Sequence, residues 1–118
     1  MERWIRAAKC SWRGLAAAWR TEAAFREEVV VLVLAFPAAL LLSADPWRRA
    51  ALIGATLLVM IVELVNTAIE KLCDRVTTEQ DTQIGRVKDM GSAAVGLSIL
   101  FASALWSMSL ALALMGRR

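Results

Sequence analysis

Histidine is absent from this sequence, and cysteine occurs only twice in 118 residues. Without histidine there is no imidazole base, no histidine-ligated zinc and no Ser-His-Asp triad, so acid–base chemistry must rest on carboxylates or lysine. Cys10 and Cys73 lie far apart and form no CxxC spacing, so neither a disulfide framework nor a zinc site is indicated. The sequence also lacks G-x-x-x-x-G-K-[ST], G-x-G-x-x-G after a strand, and H-R-D, which are the nucleotide-binding motifs of soluble enzymes.

Charged residues are few, at 21% of the chain, whereas hydrophobic residues make up 58%. This composition is too apolar for a soluble chain of 12.9 kDa and predicts a single all-α membrane domain. The charges are grouped, with ten in residues 1–28, three in 45–49, ten in 63–89 and two at the end. The intervals between these groups are the candidate transmembrane segments.

Three transmembrane helices are predicted, over residues 23–44, 48–74 and 88–116. The first contains a run of 16 uncharged residues, about 24 Å of helix against a hydrocarbon core of about 30 Å, and is extended backwards to reach full thickness. The third contains 27 uncharged residues. Asp45-Pro46-Trp47 predicts a capped helix start after a short turn. Residues 76–85 are polar and predict a loop long enough to cover a ligand.

The N-terminal segment, residues 1–22, predicts an amphipathic helix in the headgroup layer. At 100° per residue, its apolar side chains fall within an arc of about 120°, with basic residues on the other side. This helix is either an anchor against anionic lipid or a wall of a site at the interface. The apolar residues are Trp4, Ala8, Trp12, Leu15, Ala16 and Trp19.

The basic residues near the ends of the spans predict the orientation of the chain. Six Lys and Arg residues precede the first span and four lie in the second loop, against two in the first loop and two at the C-terminus. The excess predicts a cytoplasmic N-terminus and second loop, and a C-terminus outside.

Acidic residues inside a predicted span are costly and indicate function. Glu63, Asn66, Glu70 and Asp74 are spaced by 3, 4 and 4 residues, which places them within about 80° of one helix surface. Glu63 lies about 10 Å deeper than Glu70. Such a ladder suits a reaction between a water-soluble reactant and a lipid headgroup. The outer acids could hold a metal with its phosphates, and the innermost could take a proton from a lipid hydroxyl.

Further polar groups belong to the same interface. Lys88-Asp89 adds a cation for phosphate oxygens and another carboxylate, while Glu22 and the pair Glu27-Glu28 bring acids from the first span. The small residues from Gly91 to Ala94 indicate close helix packing. Ser92, one turn from Lys88, is placed to touch substrate.

Two other interpretations of the acids remain open. They could pair with the cations Lys71, Arg75, Arg86 and Lys88 as packing contacts. Alternatively, they could line a cation or proton path in a small oligomeric channel or multidrug transporter.

The segment from Glu63 to Asp74, ELVNTAIEKLCD, resembles the signature E-x-x-N-[ST]-A-[LIV]-E-x-x-V-D of the prokaryotic diacylglycerol kinase family. Residues 88–95 look like the family's second block, and residues 11–15 with 22–28 look like its amino-terminal region. Cys73 stands where the family usually has an aliphatic residue, and Cys10 replaces a tyrosine. The likeness covers nearly the whole chain in one register.

This resemblance implies a three-span kinase of the bacterial cytoplasmic (inner) membrane that forms a homotrimeric helical bundle with sites between subunits. It implies transfer of the γ-phosphate of Mg-ATP to the primary hydroxyl of diacylglycerol, giving phosphatidic acid. The partners implied are the lipid, ATP and other copies of the chain, with no nucleic acid. An undecaprenol kinase of the same family is the nearest alternative, although the wording Met90-Gly91-Ser92-Ala93 favours diacylglycerol.

The resemblance also assigns roles residue by residue. Glu63 would be the catalytic proton acceptor, and Glu22 and Glu70 would ligate magnesium. Contacts to ATP would come from Arg3, Glu22, Glu70, Glu79, Asp81, Lys88 and Asp89.

The lipid substrate would contact a second set of residues, and a third set would support the polar face. The lipid contacts would be Arg3, Glu63, Ser92 and Trp106. The supporting residues would be Glu28, Asn66 and Asp74.

Overall fold

The computed structural model describes all residues, 1–118, and consists only of helices and short connections. This confirms the all-α prediction. The four helices are α1 (Glu2–Thr21), α2 (Ala23–Leu42), α3 (Pro46–Val76) and α4 (Thr82–Leu114).

The helix starts follow from local chemistry. Asp45 accepts a hydrogen bond from the backbone N–H of Trp47, and Pro46 occupies the first helical position of α3, as predicted. Between α1 and α2 only Glu22 is non-helical, with extended backbone. Helix α2 continues through Pro37 without a break.

The predicted loop over residues 76–85 is wrong in extent. Helix α3 runs to Val76 and α4 begins at Thr82, which leaves only residues 77–81 between them. The reason is Asp81, whose Oδ1 accepts hydrogen bonds from the backbone N–H groups of Gln83 and Ile84 and so starts α4 early. Residues 82–85 of the predicted loop form the first turn of α4 instead, whereas residues 77–81 are the connection.

The helices pack as an antiparallel bundle in which α3 lies between α2 and α4. The side chains at the packed surfaces are mostly small, which lets the helices approach closely. Only 13 of 118 residues are buried, so most of the apolar surface is left for lipid or for other copies. The buried residues of α2, α3 and α4 include Ala35, Ala39, Leu52, Ala55, Ser98 and Ala102.

Helices α3 and α4 are each long and apolar enough to cross a membrane. Their most apolar stretches are only 11% and 17% buried, unlike the core helix of a soluble protein. Helix α2 is not among the helices that are apolar enough to cross a membrane, because the charged residues Arg26, Glu27 and Glu28 lie near its start.

Helix α1 has an apolar face that no other part of the chain covers. Trp4 is 70% exposed and Trp12 is 72% exposed, and the only buried residue of this helix is Ala18. The predicted amphipathic helix is confirmed as a helix. Its exposed tryptophans are those expected of a helix that lies in a membrane interface.

Candidate active site

Two glutamates meet at the inner end of the acid ladder. Glu63 on α3 and Glu28 on α2 each have a buried Oε2 atom with no hydrogen-bond partner, and their carboxyl groups interact electrostatically. A buried polar oxygen without a partner is costly and calls for a ligand that donates to it. The structure therefore brings together a predicted catalytic residue and a predicted supporting residue.

One turn further along α3, Asn66 contacts Glu70. The Asn66 side chain is almost fully buried, and its Nδ2 donates a hydrogen bond of 3.3 Å to Glu70 Oε1. Its Oδ1 is buried without a partner and lies against Gly91 of α4, where an added Cβ would collide with it. Glycine at this position thus lets α4 approach the amide that holds Glu70.

Glu22 is fixed between α1 and α3 by an ion pair. Lys71 Nζ lies 2.7 Å from Glu22 Oε1 and also donates a hydrogen bond of 3.4 Å to Thr21 Oγ1. The hydrogen bond from Lys71 lowers the pKa of Glu22 below its ordinary value, so this carboxylate stays ionised in more acidic solution. Lys71 positions one of the two predicted metal ligands.

At the water end of the ladder, Lys88 Nζ lies 2.8 Å from Asp74 Oδ1. Both residues line a polar pocket of about 590 Å³ around the connection between α3 and α4, together with Glu79 and Asp81. One oxygen of Asp81 is already occupied in capping α4. Asp89 is exposed and does not line this pocket.

An apolar groove of about 450 Å³ runs between α2, α3 and α4. Nine of its eleven lining residues are hydrophobic, and Glu28 lies at the acidic end. Trp106, a predicted lipid contact, lines the groove, and its Nε1 donates a hydrogen bond of 3.0 Å to Thr56 Oγ1. The groove offers an alkyl chain a path that starts beside the buried carboxylates.

Two of the predicted contacts stand apart from this cluster within one chain. Arg3 is exposed, with its guanidinium 5.4 Å from the centre of the Trp4 ring. About 27 Å of helix separates Arg3 from Thr21, the residue before Glu22, so the side chains of Arg3 and Glu22 do not meet in one chain. Ser92 is exposed on α4 next to buried Gly91.

No group of three or more His, Cys, Asp or Glu side chains comes together in a way that could hold a metal ion. Magnesium, however, is usually bound by one or two carboxylates together with substrate phosphates and water. Glu22 and Glu70 offer the hard oxygen ligands that this ion prefers. The donor chemistry fits magnesium bound together with a nucleotide.

The sequence patterns do not indicate Thr56 as a site residue, and for Gly91 and Lys71 they indicate only packing roles. Thr56 lies seven residues before Glu63, on the same side of α3, so the spacing of the ladder could have identified it. The contact of Gly91 with Asn66 joins two helices and leaves no such spacing signal. The two cysteines are free, as predicted.

A family model described as prokaryotic diacylglycerol kinase matches residues 9–110 of this chain. A diacylglycerol kinase of Escherichia coli (strain K12) is 50% identical over 102 residues, covering 86% of this chain and 84% of the relative. Diacylglycerol kinases of Pseudomonas aeruginosa and Haemophilus influenzae are 40% identical over 107 residues and 35% identical over 102 residues. These two matches cover 91% and 86% of this chain, and 87% and 86% of the respective relatives. By sequence, the chain belongs to the prokaryotic diacylglycerol kinase family.

Proposed function

We propose that this protein transfers the γ-phosphate of ATP to the primary hydroxyl of diacylglycerol, giving phosphatidic acid at the membrane interface. The observation that carries the proposal is the buried Oε2 atom of Glu63, which lacks a hydrogen-bond partner and belongs to a carboxyl group that interacts with Glu28, the acid that lines the apolar groove. Its relatives are named for this substrate and this class of reaction.

Glu63 would act as the proton acceptor. Its Oε2 atom would take the proton from the lipid hydroxyl, and the hydroxyl oxygen would then form a bond to the γ-phosphorus. The bond between that phosphorus and the oxygen leading to ADP would break, so ADP leaves. Glu28 would help to hold the hydroxyl, and the groove beside it, with Trp106 on its wall, would hold part of an acyl chain.

Glu22 and Glu70 would hold the magnesium that accompanies ATP, and Lys71 and Asn66 would orient these two carboxylates through the contacts described above. When bound, the ion would offset the negative charge of the phosphates. Glu79, Asp81, Lys88 and Asp89 would contact the nucleotide near the polar pocket, with Asp74 supporting Lys88. Ser92 would contact the lipid.

The proposal includes three membrane crossings in the bacterial inner membrane. Helix α2 would be the third crossing beside α3 and α4, since its length of 20 residues gives about 30 Å. Its charged start would lie with the acid ladder at the cytoplasmic side, and α1 would rest on that surface. The N-terminus would then be cytoplasmic and the C-terminus outside, as the basic residues predict.

The active unit proposed is a homotrimer. Two features support assembly with other copies: the extensive apolar surface of the bundle, and the separation of Arg3 from Glu22 within one chain. A second copy would supply Arg3 to a site whose Glu22 comes from the first. Glu70 and Asp74 are exposed in a single chain, and a neighbouring subunit would cover them.

The proposal is tested by incubating the purified protein, in lipid bicelles, with magnesium, γ-labelled ATP and each of two alcohols, diacylglycerol or undecaprenol. We expect labelled phosphatidic acid and little polyprenyl phosphate. A labelled product from undecaprenol alone would show that the lipid substrate is a polyprenol and not diacylglycerol. No labelled lipid with either alcohol would contradict the kinase proposal and favour a transport role.

The metal assignment predicts that Glu70→Gln weakens Mg-ATP binding by about 10-fold or more, because a neutral amide is a poorer ligand than a carboxylate. The measurement is a titration of nucleotide at several magnesium concentrations. Glu2→Gln removes an exposed acid from the start of α1 and is the matched control. Unchanged affinity in Glu70→Gln would remove this residue from the metal site.

A further inference from the structure

Four arginines gather at the end of the bundle opposite the candidate active site. This end contains the last turn of α2, the first turn of α3 and the chain after α4. Two of the arginines lie in the first turn of α3, and the other two follow the end of α4. They are Arg48, Arg49, Arg117 and Arg118.

A turn after α4 places the last arginines against the other helices. Gly116 has a φ of 76°, a left-handed conformation that glycine adopts readily, and Arg117 N donates a hydrogen bond of 2.8 Å to Leu112 O. The chain therefore folds back. Arg48 Nη1 then donates to Arg117 O at 2.9 Å, and Arg118 Nε donates to Leu41 O at 3.0 Å.

Two of the guanidinium groups converge on one backbone carbonyl. Arg49 Nη2 lies 3.5 Å from Leu40 O, and Arg118 Nη2 lies 3.4 Å from the same atom. The last carbonyls of a helix attract cations, which explains part of this arrangement. This attraction does not explain why four arginines lie together at this end of the bundle, because like charges repel one another.

None of these arginines forms an ion pair with an Asp or Glu side chain. The ion pairs of the protein are Glu22 with Lys71 and Asp74 with Lys88, both at the opposite end. Asp45 is the one acid in the connection between α2 and α3, and its Oδ1 accepts the hydrogen bond that caps α3. Each guanidinium carries five N–H donors, and few of them are used by the protein. The cluster thus presents guanidinium N–H donors that form no ion pair with an acidic side chain.

Large apolar side chains surround the cluster and are exposed. Such side chains beside a band of arginines mark the level at which a bilayer passes from hydrocarbon to headgroups. A phospholipid places its phosphate at this level and its acyl chains alongside the helices. The side chains are Leu41, Trp47, Leu114 and Met115, which are 74%, 84%, 80% and 66% exposed.

We infer that the four arginines bind the phosphate of an anionic glycerophospholipid in the leaflet opposite the active site. Guanidinium groups match phosphate oxygens with paired hydrogen bonds, and basic groups between membrane helices select anionic headgroups. The lipid would bridge the end of α4 to the connection between α2 and α3. Only a bundle that spans a bilayer is required for this site, and phosphoryl transfer is not.

The test is native mass spectrometry of the protein released from micelles that contain equal amounts of phosphatidylglycerol and phosphatidylcholine. We expect bound phosphatidylglycerol to predominate. The double variant Arg48→Gln/Arg117→Gln should lose about 10- to 30-fold in this preference, since each basic residue near an anionic surface contributes about a fivefold factor. The pair Arg48→Lys/Arg117→Lys should lose less than the Gln pair, because lysine keeps the charge but not the paired hydrogen bonds of a guanidinium group.

The matched control is Arg6→Gln/Arg13→Gln, which removes the same charge from α1. If the control loses as much preference as the test pair, or if the test pair retains phosphatidylglycerol fully, the assignment of the lipid to this cluster is overturned. Phosphotransfer by each variant is measured in parallel. It reports on the kinase proposal separately, because a variant can lose lipid selection while the active end still turns over.

Discussion

Glu63→Gln is expected to lower kcat by about 10²- to 10⁴-fold, the usual contribution of a general base. The amide has nearly the same shape as the carboxylate but cannot accept the proton of the lipid hydroxyl. Since the substitution also removes a charge from a buried position near Glu28, we expect the bundle to stay folded and Mg-ATP to bind as before. The measurement is turnover under saturating ATP and diacylglycerol, with unfolding followed in parallel.

The control for this prediction is Glu27→Gln, which removes the exposed acid next to Glu28 and should retain turnover. Near-normal turnover in Glu63→Gln would exclude this residue as the base. If Glu28→Gln alone abolished turnover, the role would pass to Glu28, whose buried oxygen also lacks a partner.

The polar face of α3 could be predicted from the sequence because helix periodicity is local. Spacings of 3, 4 and 4 place Glu63, Asn66, Glu70 and Asp74 on one side of any regular helix, and the bond from Asn66 to Glu70 is an ordinary contact between residues four apart. The start of α3 was equally local, since Asp45 and Pro46 act within one turn.

The connection between α3 and α4 is shorter than predicted because a polar composition does not distinguish a loop from a solvated helix. Asp81 caps α4 with two hydrogen bonds, and the residues after it continue as a helix despite their polarity. The pairing of Glu22 with Lys71 joins residues 49 positions apart, and no periodicity connects them. Contacts between helices depend on packing, which the sequence of one chain does not display.

The same limit explains why the site looks incomplete in a single chain. Lys71 and Asn66 hold the two carboxylates proposed for magnesium, but Arg3 is at the far end of α1. The buried carboxylates at one end and the unpaired arginines at the other give the bundle two chemically different ends. We propose that the first end binds the lipid hydroxyl and a metal-bound nucleotide and that the second end binds an anionic headgroup.

Gly91→Ala is expected to destabilise the protein by about 1–3 kcal/mol, the usual cost of inserting a methyl group into a well-packed contact. The new Cβ would collide with Asn66 Oδ1, and the Asn66 side chain is too deeply buried to move aside freely. Displacing the amide would also break its hydrogen bond to Glu70, so the KM for Mg-ATP should rise several-fold. Stability is measured by titrating mixed micelles with SDS, and KM by the phosphotransfer assay.

Gly96→Ala is the matched control on the same helix, because a Cβ there meets nothing within 4 Å. Alanine is a better helix former than glycine by about 1 kcal/mol. The stability of Gly96→Ala should therefore equal or exceed that of the unchanged protein. The decisive variant is Gly91→Ala/Asn66→Ser, in which the shorter side chain makes room for the methyl group. Its stability should equal that of Asn66→Ser alone, a coupling as large as the cost of Gly91→Ala, about 1–3 kcal/mol, while the KM for Mg-ATP stays high. A methyl group that destabilises the protein only by colliding with Asn66 should have no effect once that side chain is shortened. If the stability losses of the two single variants simply add in the double variant, the effect of Gly91→Ala does not act through Asn66.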